Sequence, residues 1–158
     1  VTSAAQLINA LALTPHPEGG FYREVYRAPT SCMQATGALR STATSIYYLL
    51  RSQDRSVFHR LASDELWYFH AGSPLTLYLL DEATGLTRIE LGVGAGQQPQ
   101  VIIPAGVWFG ARVLAPESFC LAGCLVTPGF DFADFEMGER AALVAQFPEH
   151  ARLIEELT

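Results

Sequence analysis

A chain of 158 residues, 49% of them hydrophobic, has material for one sizeable core and no length for a second domain of ordinary size. Its formal net charge of −6, with no basic cluster anywhere, argues against a nucleic-acid backbone or an anionic membrane as partner, because either calls for a basic face. The ten cationic side chains are all arginine, so a cation that enters a pocket brings a planar fork suited to carboxylate or phosphate.

At the start of the chain Ser3 precedes AAQLINALAL, in which Leu7, Ile8 and Leu11 recur at helical spacing. The serine is placed to cap a short helix that Pro15 and Pro17 then stop. From Gly19 onward, short segments rich in Tyr, Phe, Val, Ile and Thr alternate with Gly, Pro, Ser and Asp about every ten residues, the pattern of a barrel or sandwich. Strands are predicted near residues 19–27, 44–50, 56–61, 65–72, 75–80, 86–91, 100–104, 107–114 and 119–129, with DEATG between Leu80 and Leu86 as a hairpin turn. After Phe130 the pattern becomes helical, and Pro148 within ERAALVAQFPEHARLIEEL suits the first turn of a final helix. The expected architecture is all-β, a single domain over residues 1–158, with an antiparallel barrel between a short N-terminal helix and C-terminal helices.

Cys32, Cys120 and Cys124 show no CxxC spacing, and their odd number does not make a disulfide framework. Buried, reduced thiols are expected, Cys120 and Cys124 sharing one face of a strand. No basic stretch opens the chain, and no apolar run approaches the roughly 20 residues that span a bilayer, so a cytoplasmic protein with no membrane partner is expected.

Two segments, FHRLASDELWYFHAG and PAGVWFG, have a more specific spacing. His59, Glu65 and Gly72 in the first, with Pro104 and Gly106 in the second, resemble the two motifs of the cupin superfamily. There a His-x-His pair is followed by a glutamate and a glycine, and a Pro-x-Gly by a third histidine. Leu61 stands at the second histidine position and Phe109 at the third, which leaves two of the four usual metal ligands. Together with PHPEGGFYREVYR and GCLVTPGFDFADFE, these segments look like a family of small single-domain bacterial and fungal cupins, over nearly the whole chain. The resemblance implies a double-stranded β-helix, or jelly roll, with a pocket at the barrel mouth, and a homodimer. PEGGFYRE is also similar to a strand near the start of the deoxy-sugar nucleotide 3,5-epimerases, metal-free cupins with a His base and a Tyr acid. In this chain the arginine of that pattern is displaced to Arg23.

Side chains two apart on a strand share a face, so His59 and Leu61 point one way, and Glu65, Trp67 and Phe69 share one face of the next strand. His59 and Glu65 among aromatics form a candidate acid–base pair, because burial raises a carboxyl pKa and a neighbouring imidazolium opposes the rise. His59 is then the general base, Glu65 its orienting partner or the acid, and a tyrosine the alternative acid. Trp67 and Phe109 are candidates for a pocket wall, Tyr22 and Gln100 for polar contacts to the substrate, and Arg23 and Arg112 for clamping an anionic group. Asp131, Asp134 and Glu136 read as a helix N-terminal turn or a packing segment.

A facial iron site needs two histidines and one carboxylate, whereas His59 and Glu65 supply one of each. No cofactor is therefore expected, and any divalent metal would be held through those two. The expected function is to bind a small polar metabolite, carbohydrate-like or anionic, and to isomerise or epimerise it by proton transfer. A metal-dependent oxygenase or hydrolase and a non-catalytic small-ligand binder are the alternatives. An N-terminal edge strand able to extend a neighbour's sheet makes a homodimer the expected assembly.

Overall fold

The computed structural model describes residues 2–158. In chain order the elements are helix α1 (Ala4–Ala10), strands β1 (Thr14–Pro15), β2 (Phe21–Arg27), β3 (Ser31–Met33), β4 (Leu39–Ser41), β5 (Thr44–Arg51), β6 (Ser56–Leu61), β7 (Asp64–Gly72), β8 (Leu75–Asp81), β9 (Gly85–Leu91), β10 (Gln100–Ile103), β11 (Trp108–Val113) and β12 (Phe119–Thr127), then a 3₁₀ turn over Phe132–Asp134, strand β13 (Phe135–Met137), helix α2 (Arg140–Gln146), a 3₁₀ turn over Pro148–His150 and helix α3 (Ala151–Glu156). Each strand predicted from sequence forms. The unpredicted β1, β3, β4 and β13 are two or three residues long, too short to carry a periodicity.

Two antiparallel sheets face each other, ordered β1-β2-β5-β12-β7-β10 and β13-β6-β11-β8-β9, with β3 and β4 as a separate hairpin. From β5 to β8 the chain changes sheet at every connection, and it does so again from β9 to β12. That crossing pattern makes the jelly roll expected from the sequence. The DEATG link closes the β8–β9 hairpin, where Asp81 opposes Gly85 and its carboxylate accepts the N–H groups of Ala83 and Thr84.

Alternation along each strand sorts the side chains into three layers. Tyr48, Leu50, Trp67, Leu77, Val101 and Phe109 fill the space between the sheets. On the outer face of the six-stranded sheet, Leu49 and Leu121 pack with Leu13 beneath Leu7, Ile8 and Leu11 of the N-terminal segment. Behind the other sheet, Phe58, Tyr78, Leu80 and Trp108 meet Leu143, Phe147, Ile154 and Leu157. Strand β8 is buried at six successive positions for this reason.

The flanking helices have six or seven residues each, well below the roughly 12–15 at which an isolated helix holds in water. Burial maintains them, at about 1.5–3 kcal/mol for each fully covered Leu, Ile or Phe. Ser3 caps α1 in a reciprocal box with Gln6. The helix does not run to the prolines expected to stop it: it ends at Ala10, Leu11 is its C-cap, and Ala12 takes a left-handed φ of 50° that turns the chain into β1. Pro148 does open the final helical segment.

Candidate active site

A cavity of about 420 Å³ opens between the sheets. Thr14, Tyr22, Glu24, Ile46, Tyr48, Glu65, Trp67 and Cys124 of the six-stranded sheet form one wall, and His59 and Leu61 of β6 the opposite one. Phe130, Phe132 and Phe135 close the edge. Strand β6 faces this way because Phe58 is drawn to the other side, beneath the C-terminal helices. Its N–H donates to the Leu157 carbonyl (2.7 Å) and its own carbonyl accepts from Gly138 (2.7 Å). With Phe58 fixed outward, His59 and Leu61 point into the cavity.

Two groups hold the His59 ring. Nδ1 lies 2.7 Å from the Val57 carbonyl and must donate to it. Nε2 lies 3.0 Å from Oε2 of Glu18, an ion-pair distance. Imidazole and carboxyl group therefore form a buried pair, with side chains only 2% and 8% exposed. Oε1 of Glu18 accepts from the Ser56 hydroxyl at 3.0 Å.

Glu18 also holds the neighbouring histidine, since its N–H donates to Nδ1 of His16 at 3.2 Å and so places that ring's proton on Nε2. Burial lowers the His16 pKa, against the opposing charge of Glu18, and His16 is neutral. It packs edge-on against Tyr22 at 4.5 Å between ring centroids. The Tyr48 hydroxyl donates to the Gly19 carbonyl at 2.7 Å. Burial first, and then the charge of Glu18, push its pKa well up, so it remains a phenol that straps the turn in place.

Local backbone chemistry aims Glu18 inward. Gly19 and Gly20 have φ of 110° and 71°, and a Cβ on Gly19 would lie 2.0 Å from the Arg55 carbonyl oxygen. Only glycine lets the turn lie this close to the entrance of β6. The Glu18 carbonyl then accepts from Val57 at 3.0 Å, so main chain and side chain both join this turn to the strand that carries His59.

Glu65 has the opposite surroundings. It is 6% exposed, and its Oε2 has no hydrogen-bond partner. Burial, followed by the negative charge of Glu18, raises its pKa from 4.5 to about 8, so at neutral pH it is mainly the carboxylic acid. The indole of Trp67 opposes this rise, although its Nε1–H also lacks a partner of hydrogen-bond geometry.

The donor set does not fit a cupin metal centre. Of the four ligand positions, Leu61 and Phe109 hold apolar groups, and both nitrogens of His59 are engaged by Val57 and Glu18. Among the described residues, no three of His, Cys, Asp or Glu stand where they could share an ion.

Of the residues singled out in the sequence, His59, Glu65, Trp67, Tyr22 and Arg23 line the cavity together. Arg23 lies on its exposed rim, beside the Arg27–Glu24 ion pair of 2.8 Å. Phe109 is buried behind His59, with ring centroids 4.1 Å apart, and backs the imidazole. Two expectations need correction. Gln100 opposes Tyr68 on β10 and is exposed, because Val101 next to it takes the inward position. Arg112 lies between the buried Ala111 and Val113 and points to the opposite face of its sheet, where it donates to Tyr78 (3.3 Å) and Glu156 (2.8 Å). The acidic segment is a packing element: Asp131 caps the 3₁₀ turn, Asp134 pairs with Arg40, and Glu136 pairs with Arg60. Sequence reasoning missed Glu18. Its signal was PHPEGG itself, where two adjacent glycines follow an acidic residue and mark a bent backbone.

A family model described as Cupin superfamily (DUF985) matches residues 5–138. A hypothetical protein from Leishmania major superimposes with a TM-score of 0.93 at 35% identity, over 99% of this chain and 98% of that one. A protein of Shewanella oneidensis superimposes with a TM-score of 0.90 at 42% identity, over 100% and 98%. An uncharacterized protein of Saccharomyces cerevisiae is 26% identical over 149 residues, 84% of this chain and 74% of its own length.

Proposed function

The chain belongs to the DUF985 family of the cupin superfamily, and on that premise we propose that it isomerises or epimerises a small polar metabolite by proton transfer in its cavity. The observation that carries this reading is the contrast between two carboxyl groups facing one space. Glu18 lies against the His59 imidazole at 3.0 Å, and Glu65 is isolated, with burial holding it as an acid. A carboxyl set against an imidazole, and a second one that burial keeps protonated, suit a base and an acid working in one cavity.

The base in this reading is the Glu18–His59 pair. The ring is too enclosed and too fully bonded to act by itself, and Glu18 presents the oxygen. A carbon-bound proton removed from the metabolite passes to this pair. Return of that proton to the opposite face of the carbon gives epimerisation, and return to a neighbouring carbon gives isomerisation. Glu65 donates to the substrate oxygen on which charge develops.

The test is incubation in D₂O with sugars, sugar phosphates, hydroxy acids and keto acids, followed by NMR. Exchange of carbon-bound hydrogen is expected in one compound class, falling by about 10²–10⁴ in Glu18→Gln and His59→Gln. A compound that saturates the cavity without exchange, or exchange unchanged in both variants, would overturn the proposal.

A further inference from the structure

The inner end of the cavity narrows the substrate class. Among the described residues, two buried side-chain polar atoms lack a hydrogen-bond partner, Oε2 of Glu65 and Nε1 of Trp67. They stand two residues apart on β7, so their side chains share a face, and both line the cavity. Unmet buried polar groups are rare in folded proteins, and two together, on neighbouring residues that line one cavity, point to a ligand atom that satisfies both once the side chains admit it.

The chemistry of that atom follows from the donors. An indole N–H can only donate, and the protonated carboxyl of Glu65 has an O–H to offer. Tyr48, edge-on at 5.4 Å, and Phe109 at 6.3 Å fix the indole plane, which aims its N–H before any ligand arrives. Two converging donors call for one oxygen with two lone pairs. A resident anion is poorly matched to this place, because the Glu18 carboxylate acts on Glu65, while Arg23 and Arg27 are exposed on β2. A neutral oxygen that gains charge only during reaction is well matched.

Building on the proton-transfer reading, we propose that the substrate is a small enolisable aldehyde or ketone, bound with its carbonyl oxygen between the Glu65 carboxyl and the Trp67 indole and its α-hydrogen toward Glu18 and His59. The α-C–H bond breaks and its proton passes to the Glu18–His59 pair. The electron pair forms a C=C bond as the carbonyl π pair moves onto oxygen, where the two donors hold the enolate. Reprotonation at carbon reverses these changes, with no oxidant, reductant or second substrate.

Phenols of graded acidity imitate an enolate oxygen and serve as probes, with binding read by calorimetry and by tryptophan fluorescence. The wild-type protein is expected to bind 2-naphthol and 4-nitrophenol saturably, more tightly as the phenol becomes more acidic, and to bind benzoate less well. Glu65→Gln should weaken the most acidic phenol at least tenfold and flatten the dependence on acidity, and Trp67→Phe should weaken the whole series. If Trp67→Phe loses its fold by circular dichroism, Glu65→Gln decides. No saturable phenol binding, equal binding in wild type and Glu65→Gln, or a preference for benzoate would overturn the cradle. Deuterium exchange into dihydroxyacetone separates this from the proton-transfer reading. Phenol binding through Glu65 without His59-dependent exchange into any carbonyl compound leaves the cradle and removes the reaction. Exchange confined to hydroxy acids leaves the reaction and removes this substrate class.

Discussion

Replacing Glu65 by glutamine removes one ionisation and almost no volume, which turns the burial of that carboxyl into a measurable pH dependence. Below pH 4.5 the acid is protonated in both folded and unfolded chains and contributes no slope. Between pH 4.5 and about 8 the unfolded chain has released the proton while the folded protein retains it. Folding then takes up a proton, and stability falls as pH rises, by about 1.4 kcal/mol for each pH step. Above pH 8 both states have lost the proton and the loss is complete, at about 5 kcal/mol, a large part of the roughly 5–15 kcal/mol that holds a domain together. Glu65→Gln lacks this slope. Relative to wild type, it should gain about 2.5 kcal/mol between pH 5 and pH 7 and about 4 kcal/mol between pH 5 and pH 9. Any cost of burying the amide displaces the whole curve equally. Urea unfolding at the three pH values measures the difference, and a gap that stays constant within about 1 kcal/mol would refute a buried, protonated Glu65.

Gly19→Ala places a methyl group against the Arg55 carbonyl, at a φ of 110°. It should destabilise the protein by about 1–3 kcal/mol in thermal melts and also weaken phenol binding, because the turn that aims Glu18 has to move. Arg112→Ala removes a partly exposed ion pair on the far face of its sheet; it should cost under about 1 kcal/mol and leave calorimetric ligand affinity unchanged. Burial raises the thiol pKa of Cys120 to about 12 and that of Cys124 well above its usual value. Iodoacetamide at pH 8 should therefore label the half-buried Cys32 alone by mass spectrometry, and the other two only after unfolding.

Much of this architecture is written locally. The alternation in SVFHRL sets His59 and Leu61 against Phe58, and that in ELWYFHAG puts Glu65 beside Trp67, so half of the site follows from strand period. Glu18 does not, because it lies in a loop with no period. Its inward aim depends on two positive-φ glycines, on an approach to Arg55 far along the chain, and on a carbonyl bond to Val57. The misplacements of Gln100 and Arg112 have a related origin. Each adjoins residues that look inward, and only the pairing of Val101 with Trp67, and the Glu156 carboxylate behind β11, reveal which face each takes. The expectation that Glu65 orients His59 gave way for the same reason: the partner came from a distant loop.

The clamp on Phe58 bears on the order in which this protein takes shape. The strand carrying His59 has one backbone group satisfied by Gly138 and another by Leu157, so its final alignment waits for residue 157 to be synthesised. Glu18 and Glu65 leave the ribosome long before that moment. The strand that carries His59 is thus bonded in full only once residue 157 is in place, and a product halted before it should have its β strands with His59 less firmly held.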